Sequence, residues 1–267
     1  MRIGLMVWEI GRRGFFEQFE WAAANGFDAV AFHVNRALAP RRGLDPEAMT
    51  EETWARLKAA AARFADADIH APFGNGAESL VNPGHRARRA WLQRLETTLR
   101  VAATLGAKTV TVHRGSAPAG LDGKAVRDLL VASLVQLDGL GSALGVRVGL
   151  EATEDFDLLE RVSFANVGVT VDVGHLSFKD GAAWKPWGSL GGLIRHLGQR
   201  VVHVHVHDYD GRRDHLPLGS GKLDFGEITA ALKAIGYEGA LCLELAPTPT
   251  IEKDYLRSRD VLRALLG

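Results

Sequence analysis

The sequence predicts an α/β fold, a single (β/α)8 TIM barrel with a closed parallel sheet of eight strands. Two observations lead to this prediction. The chain has 267 residues, and a barrel of this type needs about 250 residues. Short β-like runs also alternate with longer segments of helical period along the whole chain, which favours a parallel sheet covered by helices.

Eight runs of the sequence are predicted to be strands because they are short and rich in β-branched and aliphatic residues. They cover residues 2–8, 28–34, 68–73, 108–113, 146–151, 167–173, 201–207 and 240–245. Helical spacing of apolar residues is clearest in residues 50–67, 88–105 and 124–144. Residues 35–50 are predicted to be a surface excursion. No linker-like tract interrupts this series, so the sequence predicts one domain over residues 1–267.

The composition predicts a soluble cytoplasmic protein and argues against a dedicated nucleic-acid or membrane-surface binder. Lys plus Arg and Asp plus Glu number 32 each, so the formal net charge is zero, whereas nucleic-acid and membrane-surface binders usually have a basic excess. The single cysteine, Cys242, has no partner for an internal disulfide, which fits a reducing compartment. The first apolar run is too short for a secretory signal, and no apolar run approaches about 18 residues.

Strand parity predicts which side chains point into the barrel. Residues two apart on a strand share a face, so Glu151 and Glu244 lie opposite the aliphatic residues of their runs, and Asp172 lies opposite the valines of its run. The aliphatic face should pack under the helices, which leaves the polar face towards the barrel axis. His113 ends its run in the same way. These residues lie near the carboxyl ends of their strands, where active sites of such barrels occur.

Carboxylates that converge at one barrel mouth predict a divalent metal. Buried carboxylates that face each other repel unless a cation lies between them. Glu151 and Glu244 are expected on roughly opposite sides of the mouth, an arrangement that suits paired acid/base chemistry. One would remove a proton next to a carbonyl, and the other would return a proton on the other face. The alternative is that both are only metal ligands.

The seventh run contains three histidines on one face. Residues two apart on a strand differ in height by roughly 6–7 Å, so His203, His205 and His207 do not all reach one metal. We expect His205 to be the ligand, His203 a deeper hydrogen-bonded residue and His207 a rim residue. His175 follows Asp172 by three positions and is expected to reach the same mouth.

Several other residues are candidates for the pocket. His70 and His113 are open to three roles: binding a second metal, contacting a substrate hydroxyl or capping the mouth, with substrate contact preferred. Trp8 ends the first run on the inward face and is expected to line the pocket. His33 has no supporting motif and is interpreted as a satisfied core or rim histidine. The glycine-rich residues 219–221 are interpreted as a tight turn rather than a phosphate site.

The chain resembles the xylose isomerase-like barrel superfamily of sugar isomerases, epimerases and apurinic endonucleases. The motifs that carry the resemblance are HAPFGN at His70, VHRGS at His113, GLEAT at Glu151, VDVGH at Asp172, HVHDYDG at His205, DHLPLGSGKLDF at His215 and CLEL at Glu244. No single motif is diagnostic, but their order and spacing are specific and extend over residues 1–267.

The resemblance to the ketose 3-epimerase branch implies roles for individual residues. That branch holds one divalent ion (Mn, Co or Mg, with Zn as a further option) through residues that correspond to Glu151, Asp172, His205 and Glu244. The two glutamates also form its acid/base pair, with a cis-enediolate between the two proton transfers. An arginine of the loop after the seventh run contacts the substrate, a role that Arg212 or Arg213 would fill. The full set of expected substrate contacts is Trp8, His70, His113, His175, Arg213 and His215.

The resemblance to the endonuclease branch is incomplete. That branch binds three zinc ions and uses an Asp-x-His pair in the loop after the seventh run. His215 corresponds to the histidine of this pair, but Arg213 stands where the aspartate would be. The third metal site is therefore expected to be broken. Together with the zero net charge, this departure disfavours a zinc-dependent phosphodiesterase acting on abasic DNA.

The leading hypothesis is a metal-dependent isomerase or epimerase acting on a ketose, a sugar phosphate or a related polyol. A dehydratase or lyase of the same superfamily is not separated from it by the sequence. A non-catalytic sugar-binding barrel is disfavoured by the two intact glutamates. Related epimerases often form dimers or tetramers, but no interface signature is visible, so a homo-oligomer stays open. No nucleic-acid or membrane partner is expected.

Overall fold

A closed barrel of parallel strands surrounded by helices forms the computed structural model of this protein, which describes residues 1–74 and 76–267. The strands are β1 (Arg2–Val7), β2 (Ala29–Val34), β3 (Gly43–Leu44), β4 (Asp66–His70), β5 (Thr109–His113), β6 (Arg147–Glu151), β7 (Val167–Asp172), β8 (Val201–Val206) and β9 (Ala240–Leu243). The longer helices are α1 (Phe15–Ala24), α2 (Glu51–Ala61), α3 (His85–Leu105), α4 (Gly123–Leu144), α5 (Phe156–Arg161), α6 (Phe178–Gly181), α7 (Leu190–Leu197), α8 (Phe225–Ala234) and α9 (Ile251–Leu266). Asn75, the last residue of the HAPFGN motif, lies outside the described residues.

The barrel closes between its first and last strands. β1 pairs in parallel with β9 on one side and with β2 on the other, and the remaining barrel strands follow in chain order. Each of the eight predicted runs overlaps one barrel strand, so the predicted fold class is confirmed. The two-residue strand β3 pairs only with the outer end of β2 and lies within residues 35–50, the segment predicted to be a surface excursion.

The helix predicted over residues 50–67 ends earlier than its sequence pattern. Thr50 caps its start by accepting the backbone N–H of Thr53, but α2 stops at Ala61. The alanine-rich stretch that follows keeps a helical spacing, yet Asp66 and Ala67 pair with β2 as the first residues of β4. Pairing within the barrel therefore overrides the local helical preference there.

Strand parity separates two packed regions. Leu241 and Leu243 belong to the large aliphatic core between the strands and the helices. Cys242, which alternates with them, packs with Met6 and Ala31 in a separate small cluster that Trp8 covers. The predicted assignment of aliphatic residues outward and small residues inward is thus observed along β9.

The barrel interior is filled mainly by small side chains. The hydroxyls of Thr111 and Thr170 hydrogen-bond across it at 2.9 Å. Gly149 lies beside them, and a Cβ atom at this position would approach Oγ1 of Thr170 to 2.1 Å. The tight interior supports the polar residues at the strand ends above it. None of the helices in the described ranges combines the length and apolar character that a membrane crossing requires.

Gly149→Ala is expected to lower the free energy of unfolding by about 1–3 kcal/mol, because the added methyl group overpacks the barrel interior. The matched control is Gly139→Ala on the exposed face of α4, where a Cβ atom meets nothing within 4 Å. The control should stabilise the protein by about 0.4–1 kcal/mol. Urea unfolding monitored by circular dichroism measures both changes, and equal effects would contradict the packing argument.

Candidate metal centre and active site

The carboxyl ends of four neighbouring strands bring the predicted metal ligands together. Glu151 ends β6 and Asp172 ends β7, while Glu244 directly follows β9. His205 lies near the end of β8, where it pairs with Asp172 on one side and Cys242 on the other. Because the strands are parallel and in register, their side chains meet at one mouth of the barrel.

His205 lies at the centre of this group. Its Nδ1 atom is 3.3 Å from Oε2 of Glu151 and 3.2 Å from Oε2 of Glu244. Oδ2 of Asp172 lies 3.8 Å from the same nitrogen. His205 is 1% exposed, and within residues 1–74 and 76–267 its Nδ1 atom has no partner with hydrogen-bond geometry. One imidazole nitrogen and three carboxylates form a donor set that suits a divalent cation.

The neighbouring histidines keep two carboxylates of this group, Glu151 and Asp172, ionised. Burial raises the pKa of both Glu151 and Asp172. The charge of His113 and a hydrogen bond from His175 outweigh this effect and hold the pKa of Glu151 well below its usual value. The imidazoles of His207 and His175 likewise hold the pKa of Asp172 well below its usual value. Ionised carboxylates are the form that binds a metal.

His207 orients Asp172, and its predicted position at the rim is wrong. The side chain is fully buried, and Nε2 lies 2.9 Å from Oδ1 of Asp172. The backbone N–H of His215 donates to Nδ1 of His207 at 2.8 Å, so the ring proton is on Nε2 and points to the carboxylate. Asp172 also accepts the backbone N–H of His175 at 2.7 Å. The loop after β8 folds back over the strand end, which buries His207.

His175 and His215 lie beside the central group, and Asp214 lies between them. Nδ1 of His175 is 3.0 Å from Oε1 of Glu151, and its Nε2 is 3.5 Å from Oδ2 of Asp214. Nδ1 of His215 is 3.3 Å from Oδ1 of Asp214, and its Nε2 is 3.9 Å from Oε1 of Glu244. Both histidines therefore lie where the sequence predicts, at the edge of the mouth.

Arg213, predicted to contact the substrate, is not brought into this group. Its side chain is 76% exposed and pairs with Asp210 at 3.2 Å. Asp214, one residue later, brings a carboxylate into the group instead. The alignment placed Arg213 at the acidic position and therefore missed Asp214, although the adjacent pair Asp214–His215 can be read directly from the sequence.

His70 and His113 approach Glu151 from the other half of the barrel. Their Nε2 atoms are 3.2 Å apart and lie 3.7 and 3.6 Å from Oε2 of Glu151. Nδ1 of His70 donates to the carbonyl of Ala71 at 2.8 Å, so the lone pair of the neutral ring is on Nε2. A cavity of about 290 Å³ adjoins His113 and Glu151 and has Phe73 in its wall.

Two further residues complete the mouth beside His70. The Trp8 ring centroid is 5.9 Å from that of His215 and 5.6 Å from that of His33. The interpretation of His33 as a satisfied histidine is wrong, because neither of its ring nitrogens has a hydrogen-bond partner in the described part of the chain. His203 lies deeper, as predicted, but its predicted hydrogen bonding is wrong: Nε2 has no partner among the described residues, and Nδ1 is 3.6 Å from Oδ2 of Asp68, beyond hydrogen-bond distance.

Asp208 organises the loop that carries Asp214 and His215, a role that the sequence did not indicate. Its carboxylate is 1% exposed and accepts the backbone N–H groups of Tyr209, Gly219, Gly221 and Leu223 at 2.8–3.2 Å. The N–H groups of the glycine-rich turn thus point to the carboxylate of Asp208. Their arrangement is therefore explained without a bound phosphate.

Comparison with known proteins identifies relatives that are similar in sequence. The uncharacterized protein MJ1311 of Methanocaldococcus jannaschii is 26% identical over 214 residues, covering 74% of this chain and 69% of that protein. The inosose dehydratase of Geobacillus thermodenitrificans is 27% identical over 170 residues, covering 52% of this chain and 55% of that enzyme. The match therefore spans about half the length of the dehydratase.

Ketose 3-epimerases are among the structural neighbours. The D-psicose 3-epimerase of Clostridium cellulolyticum H10, solved with D-tagatose, has a TM-score of 0.79 and 20% identity over 100% of both chains. An L-ribulose 3-epimerase has a TM-score of 0.79 and 19% identity over 99% of this chain and 94% of that chain. At these identities the likeness shows the fold.

Fold and site together define a TIM barrel with a His/Glu/Asp group at its carboxyl mouth. The family model described as xylose isomerase-like TIM barrel matches residues 19–265. The chain belongs to this family, which confirms the resemblance predicted from its motifs.

Asp208→Asn is expected to lower the free energy of unfolding by about 2–4 kcal/mol, because the amide leaves buried N–H donors without a charged acceptor. Asp210→Asn is the matched control: Asp210 accepts two N–H groups in a partly exposed turn, and its loss should cost less than about 1 kcal/mol. Urea titration measures both. A cost for Asp208→Asn no larger than that of the control would contradict its role in the loop.

Proposed function

We propose that this protein is a divalent-metal-dependent isomerase or epimerase that acts on a ketose, a sugar phosphate or a related polyol. The main support is the placement of two glutamates from different strands, each with Oε2 within 3.3 Å of the same nitrogen of His205. Carboxylates that approach one centre from two directions suit removal and return of a proton at one carbon. The ketose 3-epimerase neighbours support the substrate class.

The residues that would hold the metal are Glu151, Asp172, His205 and Glu244. The fit is supported by the buried Nδ1 atom of His205, which faces the three carboxylates and has no hydrogen-bond partner in the described ranges. When bound, the metal would polarise the substrate carbonyl and stabilise the negative charge of a cis-enediolate.

Glu151 and Glu244 are the proposed acid/base pair. One carboxylate takes the proton from the carbon next to the carbonyl, so that a C–H bond breaks and an O–H bond forms. The electron pair of the C–H bond moves into the enediolate. The other glutamate, as the carboxylic acid, gives a proton back to carbon from the other face and so inverts the centre.

The surrounding histidines are proposed to bind substrate hydroxyls and to orient the carboxylates. His175 holds Oε1 of Glu151 at 3.0 Å and would keep that carboxylate aimed at the reacting carbon. His70 and His113, whose Nε2 atoms hydrogen-bond to each other at 3.2 Å, would contact a substrate hydroxyl where His113 borders the adjoining cavity. Trp8 and His215, whose ring centroids are 5.9 Å apart, would line the same mouth.

A dehydratase is the second candidate, favoured by the match to the inosose dehydratase. It would begin with the same proton removal next to a carbonyl. The electron pair would then expel hydroxide from the neighbouring carbon, and with a proton from a glutamic acid the product would be water. Mass spectrometry separates the two reactions, because an epimerase conserves the substrate mass and a dehydratase product lacks one water.

Glu151→Gln and Glu244→Gln are each expected to lower the exchange of a substrate C–H proton with solvent deuterium about 10²–10⁴-fold, because each removes one partner of the acid/base pair. Proton NMR in deuterium oxide measures the exchange with free ketoses, sugar phosphates and inosose-type ketones as probes. The exposed Glu238→Gln is the control and should exchange like the parent protein. Exchange that stays unchanged in both active-site variants would sink the two-glutamate mechanism.

Metal-stripped protein is expected to bind one equivalent of Mn²⁺ and to gain about 2.7 kcal/mol of stability at a free metal concentration 100 times the Kd. Asp172→Ala should weaken this binding at least about tenfold by removing a ligand, whereas the surface variant His196→Ala should not. Calorimetry and elemental analysis measure affinity and stoichiometry. Three zinc ions per chain would contradict the proposal and support a phosphodiesterase.

A further inference from the structure

His33 is a buried histidine whose hydrogen-bonding groups the proposed chemistry does not use. It lies near the end of β2, in register with His70 on β4 and with Gly43 on β3. Its side chain is 0% exposed. A Cβ atom on Gly43 would come within 3.2 Å of the His33 Cβ atom, so the backbone on that side is tightly packed and the ring position is fixed.

Neither ring nitrogen of His33 has a hydrogen-bond partner among the described residues. This is unusual, because the large majority of buried side-chain polar atoms are paired and an unpaired one is destabilising. Burial, helped by the nearby His70, lowers the pKa of His33 well below its usual value. The ring is therefore neutral at pH 7 and offers one N–H donor and one acceptor nitrogen.

The surroundings of His33 face the proposed active site. Its ring centroid is 4.7 Å from His70, 5.2 Å from Phe73 and 5.6 Å from Trp8. The indole nitrogen of Trp8 is also buried without a hydrogen-bond partner in the part of the chain described. Two neighbouring side chains thus present three unsatisfied polar atoms at the same side of the mouth.

Phe73 is the outer neighbour of this pair. It is 41% exposed, contacts the rings of His33, His70 and His113, and forms part of the wall of two cavities. One is the cavity beside Glu151, and the other has a volume of about 400 Å³ and also adjoins Val34 and Asn35. Phe73 therefore both contacts the His33 ring and borders the two cavities.

We propose that His33, together with the indole N–H of Trp8, binds a hydroxyl group of the substrate remote from the carbon that exchanges its proton. The inference rests on the proposed function and names a specificity-determining residue for it. A neutral imidazole that both donates and accepts matches a hydroxyl, which also does both.

The test compares His33→Phe with the parent protein, in the presence of the diamagnetic ion Mg²⁺, on D-fructose and a series of its analogues that each lack one hydroxyl. Phe keeps an aromatic ring and removes both nitrogens. Binding is measured by titration of imidazole signals in ¹H–¹⁵N NMR, which needs no turnover, and solvent deuterium exchange gives kcat/KM. Trp91→Phe is the matched control, because it removes another buried indole N–H that has no partner among the described residues, on α3 rather than at the end of a barrel strand.

Binding of D-fructose to the parent protein should shift the His33 imidazole signals. His33→Phe should weaken that binding about 10–100-fold, while one analogue in the series binds parent and variant alike. His33→Gln, which restores a donor and an acceptor, should recover part of the loss. The melting temperature of His33→Phe should be unchanged or higher, since the substitution removes unsatisfied buried nitrogens. Trp91→Phe should bind the whole series like the parent protein.

Three results would overturn the inference: equal losses for D-fructose and every analogue, no loss for any of them, or no shift of the His33 signals at saturating probe concentration. The failure of the proposed function looks different. If no probe exchanges its proton with solvent but binding still depends on His33 and on one hydroxyl, the subsite stands and the isomerase assignment fails. If exchange depends on Glu151 but binding does not depend on His33, the isomerase assignment stands and the His33 subsite fails.

Discussion

The concentration of three buried carboxylates around one imidazole is the constraint on which the rest of the site depends. Like charges this close destabilise a folded protein unless cations or hydrogen bonds compensate them. Glu151, Asp172 and Glu244 each lie within 3.8 Å of Nδ1 of His205. Further imidazoles surround the carboxylates and hold two of them ionised. The site is therefore built to keep its negative charge, which a structural core would avoid.

Fixing these charges requires a well-defined loop after β8. The buried carboxylate of Asp208 stabilises this loop by accepting hydrogen bonds from four of its backbone N–H groups. The loop is then joined to the site by two bonds of His215: its N–H donates to His207, and its carbonyl accepts the N–H of Ala246 after β9. One short stretch of chain thus supplies His205, the proposed central ligand, together with His207, which orients Asp172, and His215, which anchors the loop.

The sequence predicted what depends on strand periodicity and missed what depends on distant partners. Alternation along each strand, together with the fixed polarity of a parallel barrel, was sufficient to bring Glu151 and Glu244 to one mouth. The position of His207 depends on a loop that folds back over it, so periodicity alone misplaced it at the rim. Arg213 was assigned by alignment, but the direction of a loop side chain follows from local turns that alignment does not describe. The lack of partners at His33 is a property of its neighbours in space and leaves no trace in the sequence.

The barrel is divided into two halves of different chemistry. Four consecutive strands carry the proposed metal ligands: Glu151 on β6, Asp172 on β7, His205 on β8 and Glu244 after β9. The other four carry indole or imidazole groups: Trp8 after β1, His33 on β2, His70 on β4 and His113 on β5. A substrate between the two halves would meet carboxylates on the side of its reacting carbons and indole or imidazole groups on the other. Substitutions in the second half leave the number of carboxylates unchanged, so the proposed substrate recognition and the proposed proton transfer can be tested separately.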